Sequence, residues 1–216
     1  MRILITGNNR GIGRAIEDHL ATAFLSSYIY GTHRLAGDIY ERDFDVSQEE
    51  DIHALVEWCR PIDVLINNAG ILDTEEFGRL TMAGMERIMR VNFIGPLLLA
   101  QEAVGAGAKL IINIGSMYGV TGSYGQKPTY AASKAALHNA TKSLARSLGP
   151  NCRVVAIAPG IIDTGIHNAQ GGISKHGTGH SLVGRLGTEL EVAQLVEQVI
   201  RNEYINGTVL ELSGGR

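Results

Sequence analysis

Six short apolar runs punctuate the chain: RILIT (2–6), SYIYG (27–31), VLINN (64–68), KLIINIGS (109–116), RVVAIAPG (153–160) and TVLELSGG (208–215). Most are continuously apolar and rich in β-branched residues. A strand with one wet face alternates, so this pattern predicts strands buried on both faces. Between them lie segments of helical period: GIGRAIEDHLATAF (11–24), SQEEDIHALVEWC (47–59), TMAGMERIMRVNFIGPLLLAQEAV (81–104), TYAASKAALHNATKSLARSL (129–148) and TELEVAQLVEQVIR (188–201). Ser47 followed by Glu50 reads as a capping box opening the second of these. Strand and helix alternate along the whole chain with no linker or repeat, which predicts one α/β domain over 1–216: a doubly wound, mostly parallel sheet of about seven strands with helices on both faces. Ligands of such sheets bind beyond the carboxyl ends of the strands. Residues immediately following each apolar run are therefore the first candidates for chemistry.

After the first run comes TGNNRGIGRAI, with Gly7, Gly11 and Gly13 leading into a helix. Glycines let a backbone turn tightly and approach a ligand closely, and a helix N-terminus favours a pyrophosphate. The spacing is G-x-x-x-G-x-G, and its place between strand one and helix one points to a dinucleotide. An acid after the second strand would suit the ribose 2′-hydroxyl of NAD(H), whereas cations suit a 2′-phosphate. The second run ends Thr32, His33, Arg34, with no carboxylate until Asp38, and Arg10 sits in the glycine turn itself. These residues point to NADP(H) rather than NAD(H).

Tyr130 and Lys134 stand four apart in an alanine-rich helical segment and share one face. An ammonium beside a phenol favours the phenolate and lowers its pKa. By itself the pair could equally be two polar residues on a helix surface. Tyr130 is the tyrosine with a lysine four residues on, and it follows Ser116 by 14 residues.

Composition excludes several other classes. The 216 residues are 44% hydrophobic and 19% charged, with 27 glycines, five prolines and a formal net charge of −3. That balance offers no basic footprint for nucleic acid. No apolar run approaches the ~18 residues of a membrane span, and MRILITG enters a strand directly, without the longer apolar segment of a signal peptide. Cys59 and Cys152 are far apart and outside any CxxC context, so they read as core thiols in a reducing, cytoplasmic setting with no metal site.

The order of these motifs resembles the short-chain dehydrogenase/reductase family, in its compact single-domain branch and close to 3-oxoacyl reductase members, over nearly the whole chain. TGNNRGIG looks like that family's cofactor turn, in which Gly7, Asn9, Arg10, Gly11, Ile12 and Gly13 would meet the dinucleotide, with Thr32, His33 and Arg34 beyond the second strand. Asp45 and Val46 of FDV match its adenine site. NNAG at 67–70 matches its sheet-and-cofactor motif and implicates Asn67, Ala69 and Gly70. PGIIDT at 159–164 looks like the segment that holds the nicotinamide carboxamide, through Pro159, Gly160, Ile162 and Thr164. IGSMYG supplies Ser116, and Asn92 falls at the family's asparagine position. GRLGTELEVAQLV and GTVLELSGG are similar to its closing helix and strand.

The resemblance implies a Rossmann fold and hydride transfer between an NADP(H) nicotinamide and a carbonyl or alcohol. Tyr130 would be general acid or base, Lys134 would lower its pKa and hold the nicotinamide ribose, and Ser116 would donate to the substrate oxygen. Asn92 would place a relay water, although it could instead satisfy buried backbone groups. The same machinery fits an NAD-dependent alcohol dehydrogenase. A non-catalytic NADP(H)-binding module would not need the proton donor. The resemblance further implies a homodimer or homotetramer built on the long helices. Two segments depart from the pattern. About ten residues separate GTHR from DFDV, too few for a full crossover helix. Residues 165–184 carry six glycines and His167, His176 and His180, which read as a polar, mobile substrate lid rather than metal ligands.

Overall fold

A computed structural model describes residues 1–32, 41–42 (backbone), 44–72, 77–123, 127–164 and 181–215. In chain order they form β1 (Arg2–Thr6), α1 (Gly11–Ala23), β2 (Tyr28–Thr32), β3 (Glu41–Arg42), α2 (Glu49–Cys59), β4 (Val64–Asn67), α3 (Met82–Met89), a π-helical turn (Arg90–Ile94), α4 (Gly95–Gly105), β5 (Leu110–Ile114), α5 (Tyr118–Thr121), α6 (Pro128–Leu148), β6 (Arg153–Pro159), α7 (Glu189–Arg201) and β7 (Val209–Leu212). The strands make one seven-stranded sheet in the order β3-β2-β1-β4-β5-β6-β7, and every pairing in it is parallel. The expected doubly wound Rossmann-type α/β fold is present.

Both faces of the sheet are covered, as the unbroken apolar runs require. In β1, Ile3 and Ile5 join one core with Ile16 and Leu20 of α1 and Val192, Val196 and Val199 of α7. Leu4 points the other way, into a second core with Ile52, Leu55 and Val56 of α2 and Leu99 and Ala103 of α4. Chain order reverses between β1 and β4, which sets a switch point at their carboxyl ends.

Three local features differ from expectation or refine it. The Ser47–Glu50 capping box does not form. The second helix begins at Glu49, and Gln48 gives it no side-chain cap. Ser47 is captured from behind instead, its N–H and hydroxyl both donating to Asp45 Oδ1, at 2.9 and 2.8 Å. A true capping box opens α7, where Thr188 Oγ1 accepts from Glu191 N–H and the Glu191 carboxylate reaches back to Thr188 N–H. The long helix expected over 81–104 is interrupted by the π turn. Pro96 has no N–H to offer the Asn92 carbonyl four residues back, and Gly95 N–H bonds Arg90 O instead. The short link between β2 and β3 (33–40) and residues 165–180 of the expected lid lie outside the described residues.

Candidate active site

The site is built at the switch point, where the turns after β1 and β4 lock together. Asn68 Nδ2 donates to Thr6 O at 2.9 Å and to Gly7 O at 2.8 Å. In return, Thr6 Oγ1 accepts from the N–H groups of Asn68 (3.1 Å) and Ala69 (3.0 Å). Gly7 turns with φ +67 and has no room for a side chain, since a Cβ there would lie 2.9 Å from Ala69 Cα. A Cβ on Gly13 would overlap Gly7 O and Asn68 Nδ2. These close approaches are why the turn is glycine-rich. Asn8 is fully buried behind it, donating to Glu17 Oε2 at 2.9 Å.

The N-terminus of α1 opens into the same space. Arg10 caps it in extended conformation, with no side-chain cap bond and no acid in the first turn. Its N–H groups therefore face a cleft of about 690 Å³ that runs along the carboxyl edge of the sheet. That is the chemistry a pyrophosphate requires. Two hydroxyls in the cleft wall, Thr32 Oγ1 and Thr164 Oγ1, are buried without a hydrogen-bond partner among the described residues. Orphaned buried polar atoms of this kind call for a ligand.

Most sequence-predicted site residues converge on this cleft. Gly7, Asn9, Arg10, Gly11, Ile12, Gly13, Thr32, Asp45, Val46, Ala69 and Gly70 line it, together with Ser116, Tyr130, Lys134, Pro159, Gly160, Ile162 and Thr164. His33 and Arg34 lie outside the described residues. Asn67 does not reach the cleft. As the last residue of β4 it is turned into the protein, 3% exposed, donating to Pro96 O (3.1 Å) and Asn113 Oδ1 (2.9 Å). Its neighbour Asn68, just past the end of β4, lines the cleft instead.

Asn92 is fully buried in the π turn and also stands back from the cleft. Its Oδ1 accepts from Ile71 N–H and its Nδ2 donates to Ile71 O, both at 2.9 Å, and Nδ2 also reaches Ser133 Oγ at 3.2 Å. Its side chain therefore holds the backbone that follows the Asn-Asn-Ala-Gly turn, rather than groups of its own helix.

Ser116 lies in the turn two residues after β5, while Tyr130 and Lys134 lie on the first turns of α6. Burial pushes the Tyr130 phenol above its ordinary value; a hydrogen bond with Ser116 opposes this, and Tyr118 adds to it. The Tyr118 and Tyr130 rings meet edge to face at 6.3 Å. Lys134 is 5% exposed, and burial pulls its ammonium down to about 8. Its Nζ donates to Ile114 O at 2.9 Å and lies 6.0 Å from the Tyr130 ring centroid. The expected depression of Tyr130 by Lys134 is not found, because burial of the phenol is the largest influence on it and the ammonium is turned toward β5. Among the described residues, no group of His, Cys, Asp and Glu is placed to hold a metal.

A dinucleotide cradle continuous with a serine, a tyrosine and a lysine, all at one switch point, belongs to the doubly wound oxidoreductases. Comparison with known proteins narrows that class. The family model for short chain dehydrogenases matches residues 1–172. The chain is 34% identical to the 3-oxoacyl-[acyl-carrier-protein] reductase FabG of Aquifex aeolicus, covering 98% of this chain and 95% of that protein. It is 31% identical to carbonyl reductase family member 4 of Danio rerio, over 98% and 96%. A solved short chain dehydrogenase from Burkholderia cenocepacia in complex with NADP matches with TM-score 0.92 at 28% identity, over 99% of this chain and 96% of that one. This chain belongs to the short-chain dehydrogenase family of oxidoreductases.

Proposed function

We propose that the protein is an NADP(H)-dependent oxidoreductase that interconverts a carbonyl and an alcohol, with a 3-oxoacyl thioester as the carbonyl substrate. The observation that carries this reading is the convergence of Ser116, Tyr130 and Lys134 on the cleft that the glycine turn and the α1 N-terminus open into. Similarity to a 3-oxoacyl-[acyl-carrier-protein] reductase supports the substrate class. The NADP complex of a relative and Arg10 in the cleft wall support NADP(H) over NAD(H).

The nicotinamide, when bound, supplies or accepts the hydride. The α1 N-terminus and the glycine turn would hold the pyrophosphate, and Thr164 the carboxamide. Ser116 would donate a hydrogen bond to the substrate oxygen as charge develops on it. Tyr130, a phenol whose pKa burial raises further, would give that oxygen its proton during reduction and take it back during oxidation. Lys134 is cationic below about pH 8 and would hold the nicotinamide ribose. Asn92 would support the site through the Ile71 backbone.

The same reading places the protein in the cytosol, which two buried free cysteines support. It also pairs copies through the helical segments around 81–105 and 128–148 as a homodimer or homotetramer. No described helix is long and apolar enough to cross a membrane.

Side-by-side fluorescence titration with NADPH and NADH, followed by an NADPH-oxidation assay with acetoacetyl-coenzyme A, tests the reading. Tighter NADPH binding with turnover supports it. Preference for NADH would redirect it to an NAD-dependent alcohol dehydrogenase, NADPH binding without turnover would favour a non-catalytic NADP(H)-binding module, and binding of neither would overturn the reading.

A further inference from the structure

Tyr130, Lys134 and His138 rise one turn apart on a single face of α6, and the third member has no part in the chemistry above. His138 is 5% exposed and packs behind the turn that carries Ser116. Its Nε2 accepts the Ser116 N–H at 3.4 Å. Glycines bracket the imidazole. A Cβ on Gly115 would overlap Nε2, and one on Gly119 would lie 2.8 Å from Cε1. The ring thus fills the space that two glycines leave open at either end of the Ser116 turn. The rest of the turn is pinned from β6, with Gly115 N–H on Ile157 O (2.7 Å) and Met117 N–H on Pro159 O (2.9 Å). Ser116 Oγ itself accepts from Tyr118 N–H at 3.2 Å.

We propose that His138 is a positioning residue: by presenting a neutral ring nitrogen to the Ser116 N–H, it locks the 115–119 turn and aims the Ser116 hydroxyl at the reacting oxygen. The proposal rests on the role given to Ser116 above. Accepting that N–H requires an unprotonated Nε2. Burial first, then Lys134 and Lys142 on the same helix, pull the imidazole down to about 4 against an opposing pull from the Gly119 backbone. At working pH the ring is therefore neutral, and an imidazolium would set N–H against N–H. Without the acceptor, the half-buried Ser116 N–H loses its partner and the turn is free to shift. A displacement of about 1 Å near reacting atoms can cost on the order of 100-fold in rate.

The test uses the full chain, with ¹⁵N-histidine NMR, amide hydrogen exchange and kinetics on His138→Leu (similar bulk, no acceptor) and His138→Gln (acceptor retained). At pH 7 the wild-type Nε2 should give the shift of an unprotonated, hydrogen-bonded nitrogen. Exchange of the Ser116 amide should accelerate roughly 10-fold or more in His138→Leu and much less in His138→Gln. With saturating NADPH and acetoacetyl-coenzyme A, kcat should fall roughly 10-fold in His138→Leu while NADPH affinity stays within about 2-fold, and His138→Gln should recover most of the loss. A protonated Nε2 in the wild type overturns the proposal even if neither variant folds. Equal Ser116 exchange in the wild type and the leucine variant does so too, as does an unchanged kcat. If the wild type fails to turn over acetoacetyl-coenzyme A, the substrate reading falls, while the NMR and exchange results still decide whether the imidazole holds the turn.

Discussion

Lys134 holds its charge against burial, and that conflict makes a measurable pH dependence. Its folded-state pKa, about 8, lies below the ordinary 10.5. Between these values the unfolded chain binds more protons than the native one, so stability rises with pH across that window. Below pH 8 both states are charged and the native state carries the full cost of burial. The shift corresponds to ~3 kcal/mol. Urea unfolding at pH 7.5 and pH 10.5 should show the wild type gaining on a Lys134→Met variant by an amount of that order. A constant difference between the two proteins would mean that Lys134 is not desolvated.

At Tyr130 the expected outcome is kinetic. Tyr130→Phe should lower turnover by at least ~100-fold, the typical scale for removing a general acid, while NADPH fluorescence titration shows affinity changed by less than about 2-fold. Near-normal turnover would remove the phenol from the mechanism. The Tyr130–Lys134 spacing was legible in the sequence because helix periodicity is local. The Lys134 bond to Ile114 O was not, since it depends on β5 lying beside α6.

Elements show how one sequence pattern can have two outcomes. Ser47-Gln-Glu-Glu50 and Thr188-Glu-Leu-Glu191 both carry the capping-box signature, yet only the second forms. Asp45, two residues upstream, accepts from Ser47 and removes it from the helix end. Thr188 meets no such competitor, and Glu191 is held down to about 2 chiefly by Arg185 and by the Thr188 N–H. Thr188→Ala should therefore cost about 1 kcal/mol in urea unfolding, whereas Ser47→Ala should leave the start of α2 unchanged. β2 offers a second test at this scale. A side chain on Gly31 would overlap the Asn8 amide tucked behind the glycine turn. Gly31→Ala should destabilise the fold by about 1–3 kcal/mol and weaken NADPH binding. Asn8→Ala in that background should restore a large part of both, and additivity of the two substitutions would show that they do not share the space.

Across the whole molecule, a buried polar thread ties the centre of the sheet to α6. Asn67 Nδ2 on β4 donates to Asn113 Oδ1 on β5, and Asn113 Nδ2 donates to Thr141 Oγ1 on α6, both at 2.9 Å. The Thr141 hydroxyl closes the thread on Leu137 O at 2.9 Å. All three side chains are buried, so the thread fixes the register of β4, β5 and α6, and with it the height of Tyr130 and Lys134 above the sheet. Asn113→Ala should lose about 1–3 kcal/mol per polar group left unpaired, read as a lowered midpoint in a cooperative denaturant transition. A variant as stable as the wild type would make the thread incidental.

The sequence by itself determined the doubly wound fold, the family motifs in order and the end of the sheet at which chemistry collects. Those properties follow from local periods and from turns that occur directly after strands, both written in neighbouring residues. Only the tertiary structure decided that Asn68 rather than Asn67 faces the cleft, that Asn92 braces Ile71 from a π turn, that Lys134 turns toward Ile114, and that His138 backs the Ser116 amide. In each case the deciding quantity is the partner of a buried polar group. That partner comes from an element distant in sequence, or from the face a side chain is turned to, and it becomes visible only when the sheet and its helices are assembled.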